Sequence, residues 1–122
     1  MEFFIRQNAT DPALKLKVVD DGRNDRSTIF DSLESSSISF SMYEIKTKKP
    51  IVLNSPGTLA IRKERLNQEI PEYVIFYRFT EDDTSKTGRY EGIFTIRFMD
   101  TDLNTTSKLI APIKEKLFIN VI

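Results

Sequence analysis

One stretch constrains this chain more than any other: Tyr73 to Met99, YVIFYRFTEDDTSKTGRYEGIFTIRFM. Two runs dense in aromatic and branched residues flank a polar segment, Glu81 to Arg89, and the pattern reads as a β-hairpin of strand, connection and strand. In the second run Phe94, Ile96 and Phe98 alternate with Thr95 and Arg97, the period-two signature of a strand with one buried face. The first run is apolar on both sides, with Tyr73, Ile75, Tyr77 and Phe79 against Val74 and Phe76. Such a strand is expected to sit centrally, covered on both faces. The core is predicted here.

The rest of the chain is read around that stretch. Glu2 to Ile5 is a short edge strand, followed by turn chemistry from Asn8 to Pro12. Ala13 to Val19 alternates, with Leu14, Leu16 and Val18 inward, and stops at Asp20-Asp21-Gly22. Ile29, Phe30 and Leu33 stand at helical spacing within a polar segment, which predicts at most one short helix between Arg23 and Ser36. Ile38, Phe40 and Met42 alternate with Ser37, Ser39 and Ser41, a strand with a hydroxyl-lined outer face. Lys46 to Pro50 is a charged loop. Ile51 to Leu53 and Thr58 to Arg62 read as two strands about a turn centred on Pro56-Gly57. Lys63 to Pro71 is a polar connection and Asp100 to Ser107 a turn-forming loop. Ile113, Leu117, Ile119 and Val121 keep period two to the end, with Pro112 marking an edge, a bulge or a strand start. About seven to eight short strands with turn signals between them predict one domain, residues 1–122, an all-β antiparallel sandwich.

The composition narrows the chemistry. Lys plus Arg and Asp plus Glu each number 18, so the formal net charge is zero. A nucleic-acid binder carries a basic excess to neutralise phosphates, so no nucleic-acid partner is expected. The chain contains neither Cys nor His, which removes disulfides, thiolate nucleophiles, the commonest general base and the commonest metal ligands. No apolar run reaches the roughly 20 residues of a membrane helix, and MEFFIRQ is too short and charged for a signal peptide. A soluble protein with no membrane partner is expected.

Three acidic clusters, Asp20-Asp21, Glu81-Asp82-Asp83 and Asp100 with Asp102, lack the loop of a Ca²⁺ site and read as turns. No carboxylate pair stands against an apolar segment that would raise its pKa, so no enzyme, cofactor or metal is expected. Gly88-Arg89-Tyr90 has the G-x-Y form of the tyrosine corner in immunoglobulin-like sandwiches, although Gly92 replaces the Cys that antibody domains place two residues on. Tyr90 is therefore given a structural role. On the outward faces Phe76, Ile93 and Phe118 are apolar where solvent would favour polar groups. They are either covered by the chain itself or form an interface.

Three stretches together resemble the N-terminal domain family of phage baseplate upper proteins: LKLKVVDDGRNDRSTIFDSLESSSISFSMYE, YVIFYRFTEDDTSKTGRYEGIFTIRFMD and LIAPIKEKLFINVI. The shared pattern is a strand into a DG turn, an alternating strand ending in Met-Tyr, an aromatic strand, a loop ending in G-x-Y and a closing strand after Pro. The resemblance implies a non-enzymatic adaptor, an immunoglobulin-like sandwich within a phage virion, soluble in the host cytoplasm before assembly. Its partners would be other virion proteins and copies of itself. A helical linker and further domains follow the sandwich in such adaptors. The chain would then be either an excised domain or a small virion protein using the same module. A carbohydrate-binding module stacking sugars on Tyr43, Tyr73 or Phe118 is the competing reading.

Overall fold

The computed structural model of the chain describes residues 1–18, 36–62, 72–100, 105–112 and 115–122, without the side chains of 18, 60–62, 72–73, 98–100 and 105–107. Nine strands lie among these residues: β1 (Glu2–Ile5), β2 (Leu14–Val18), β3 (Ser37–Glu44), β4 (Pro50–Pro56), β5 (Thr58–Arg62), β6 (Glu72–Tyr77), β7 (Gly88–Asp100), β8 (Thr105–Ala111) and β9 (Leu117–Val121). The short helix expected around Ile29 to Leu33 falls outside the described residues, as do the Lys63 to Pro71 connection and Ile113.

Two sheets face each other. The larger has the order β1-β9-β7-β3-β4, with β8 also paired to β7, and the smaller has the order β2-β6-β5. All pairings are antiparallel except β1 with β9, which is parallel. The period-two residues meet between the sheets. Phe40, Met42, Phe94, Ile96, Leu117 and Ile119 point inward from the larger sheet, and Leu14, Leu16, Ile75 and Tyr77 from the smaller, all of them buried. Phe40 is the hub. Its ring lies 4.6 Å from Tyr77, 5.1 Å from Phe94 and 5.8 Å from Phe79, within the range where aromatic pairs attract. Phe98, expected in the core, has a backbone that pairs with Ser107; its side chain is outside the description.

The central stretch is not a hairpin. β6 pairs with β2 and β5, whereas β7 pairs with β3, β8 and β9. Residues 78–87 cross from one sheet to the other. Ile75 and Tyr77 confront Phe94 across the core rather than lying beside it, and period-two alternation is the same in both arrangements. β6 is nonetheless central in its sheet, as its two-sided apolar character requires.

β4 and β5 likewise belong to different sheets, so the Pro56-Gly57 step joins sheets instead of turning a hairpin. The Gly57 amide still donates to the Ile38 carbonyl at 2.9 Å. β4 forms its hairpin with β3, through the charged Ile45 to Lys49 turn, where the Glu44 amide donates to Lys49 O at 2.9 Å. Thr105 to Ser107 is strand rather than loop. β8 and β9 take successive halves of the same β7 edge, changing over after Ala111, and Pro112, which has no N–H to donate, stands at the break.

Candidate interaction face

The 78–87 crossing is held by side chains from both of its ends. Tyr77 donates its hydroxyl to Asp83 Oδ2 at 2.6 Å, and the same oxygen accepts the Thr80 amide at 3.0 Å. Burial pushes the Tyr77 phenol up to about 12, with the Asp83 hydrogen bond and charge adding to it and Ser55 opposing. Thr84, fully buried, donates to Ala9 O at 2.9 Å. Tyr90, buried at the start of β7, donates to Lys86 O at 2.8 Å, four residues upstream. Burial raises its pKa too, and Glu44 adds to the shift. Gly88 has φ +150°, a conformation that L side chains rarely adopt, so the G of G-x-Y is a backbone requirement. Tyr90 is structural, as its motif suggested.

Of the acidic clusters, Glu81-Asp82-Asp83 is described, and Asp83 is committed to Tyr77 and Thr80. Among the described residues no group of three or more Asp or Glu is placed to hold a metal ion. An open cleft of about 340 Å³ at one end of the sandwich is lined by Glu44, Lys46, Lys86, Arg89 and Tyr90. A second, of about 360 Å³, lies where β8 hands over to β9, between Ile93, Ile110, Pro112 and Lys116. Neither sets a nucleophile against a base.

The outer face of the larger sheet is the unusual surface. Its rungs follow from register. Tyr43, Glu91, Phe118 and Glu2 form one row; Ser41 and Ile93 the next; Ser39, Thr95 and Ile110 a third; Ser37, Arg97 and Lys108 a fourth. Phe4 and Ile110 are exposed at 58% and 46%, while Tyr43, Ile93 and Phe118 are half-buried. Between these tall residues the floor is small and polar: Ser39, Ser41 and Thr95 are buried. Ser41 Oγ accepts the Asn54 amide at 3.0 Å. Ser39 Oγ is the one buried side-chain polar atom without a hydrogen-bond partner among the described residues.

Phe76, Ile93 and Phe118 do not share one surface. Phe76 is half-buried on the outer side of the smaller sheet, across the molecule from Ile93 and Phe118. Placing Phe76 beside Ile93 followed from the hairpin reading and fails with it, whereas Ile93 and Phe118 do share the outer face of the larger sheet. Phe118 has a local cover: the Arg89 guanidinium lies 3.9 Å from its ring centroid, a cation–π contact. Arg89 also pairs with Glu2, whose second carboxylate oxygen accepts Asn120 Nδ2 at 2.6 Å. The Asn120 hydrogen bond, followed by Arg89, holds the Glu2 carboxyl below its ordinary value. The alternation rule missed Phe4, because the four residues of β1 show too little period, and Ile110, because the stretch before Pro112 reads partly as a loop and not as a strand of its own.

No protein-family model, curated protein or solved structure matches the chain.

Proposed function

We propose that this chain is a non-enzymatic structural domain of a bacteriophage particle, an immunoglobulin-like sandwich that docks onto neighbouring virion subunits through the outer face of its larger sheet. The observation that carries the reading is that face, where Phe4, Ile93, Ile110, Phe118 and Tyr43 are gathered on one side. Apolar groups collected on the outside of a sheet are what an interface uses. Connectivity supports the fold assignment. The orders β2-β6-β5 and β9-β7-β3-β4 follow the B-E-D and G-F-C-C′ scheme of variable-type domains, and Tyr90 makes the tyrosine-corner bond at the start of the F-equivalent strand. The phage assignment itself rests on the resemblance of the three quoted stretches.

The sugar-binding alternative is disfavoured at Phe118, because Arg89 occupies the ring face on which a sugar would stack. The test is isopycnic banding of the particles encoded beside this chain. A virion subunit co-bands with intact particles at constant stoichiometry. A chain found only in the soluble fraction contradicts the proposal.

A further inference from the structure

The outer face of β3 and β7 is self-complementary, and we propose that a second copy of this chain packs against it about a two-fold axis. The inference rests on the docking reading above and names the partner. Four outward rungs cross the two strands: Tyr43 with Glu91, Ser41 with Ile93, Ser39 with Thr95, and Ser37 with Arg97. An axis lying in the plane of the face, running across the strands at the level of the Phe40–Phe94 pair, exchanges the first rung with the fourth and the second with the third. Closed dimers use one patch on both subunits, so each group must meet its own complement under the axis.

Here it does. Glu91 of one copy meets Arg97 of the other, twice, carboxylate to guanidinium. Neither side chain has an ion-pair partner within its own chain among the described residues. Ile93 stands over the buried Thr95 and Tyr43 over Ser37, large over small, as facing layers interdigitate. The floor of Ser39 and Ser41 is left for its symmetry mate, which gives the unpartnered Ser39 Oγ a polar surface to face. On the flanking strands Lys108 comes over Phe118 of the other copy, since Lys108 pairs with Arg97 and Phe118 with Glu91. Zero net charge leaves no long-range repulsion between copies.

Charge swapping in sedimentation velocity tests this. The wild-type chain is expected to dimerise at or below about 100 μM. Arg97→Glu and Glu91→Arg should each weaken self-association by about tenfold or more, because like charges then face each other twice. An equimolar mixture of the two variants should associate as well as wild type, since every pair is again opposite in sign. Thermal melts check that both variants fold. If either melts early, Arg97→Gln and Lys108→Gln, which keep the surface polar, should show the same direction of loss. A wild-type chain that stays monomeric overturns the proposal, as does a dimer indifferent to both single changes or a mixture that fails to recover. A monomer that nevertheless bands with particles leaves the virion reading standing while removing this partner.

Discussion

Two tyrosine hydroxyls pin the connection that carries the chain from one sheet to the other, and their chemistry makes the protein sensitive to alkali. Tyr77 keeps its proton to about pH 12 in the folded state, whereas an unfolded tyrosine loses it near 10. A raised folded pKa stabilises fully below the unfolded value and is lost as pH rises through the folded one. Stability should therefore hold to about pH 10 and then fall toward 12, with Tyr90 contributing in the same direction. Tyr77→Phe should cost about 1–2 kcal/mol at neutral pH, through the lost bond to Asp83. It should also flatten the alkaline decline, which urea melts at several pH values would read. A variant whose decline is as steep as wild type would show that Tyr77 is not its source. Tyr90 was legible from its motif, because the corner bond is local and Gly88 announces it. The Tyr77–Asp83 bond was not, since it depends on how residues 78–87 close.

At the scale of elements, the strands were legible and their partners were not. Alternation identified Leu14 and Leu16, Phe40 and Met42, Phe94 and Ile96, and Leu117 and Ile119, because a strand's inner face records burial whatever it pairs with. Pairing is a long-range choice, so the β6–β7 and β4–β5 stretches both looked like hairpins while crossing between sheets. The serine face of β3 was legible as outward, but not its purpose. Between the Phe40–Ser55 and Met42–Val52 pairs, β4 sets two residues, Leu53 and Asn54, against Ser41 alone, with Asn54 at φ 51°. That is a β-bulge, and bulges leave an amide outside the ladder. Ser41 supplies the acceptor. Ser41→Ala should cost about 1–2 kcal/mol by stranding that amide, while Ser41→Thr, which keeps the oxygen, should cost less. Equal losses in chemical denaturation would mean that the hydroxyl is not what holds the bulge.

The whole molecule pairs a well-filled interior with one face that solvent alone does not explain. Phe118 stood out in the sequence as a ring on a polar side, yet Arg89 shields it, and Phe4 and Ile110 on the same face are more exposed than it is. The smaller sheet differs in makeup: on its outer side the exposed Lys15 and Lys17 stand beside half-buried Phe76 and buried Val74. The proposed role in the particle belongs to the larger sheet alone, and one measurement separates the two faces. Ile110→Glu and Lys15→Glu are both surface changes and should leave the melting temperature close to wild type. In particle co-banding, Ile110→Glu should lose most of its incorporation, because interface centres exclude charge, and Lys15→Glu should incorporate normally. Normal incorporation of Ile110→Glu, with loss confined to Lys15→Glu, would contradict the account.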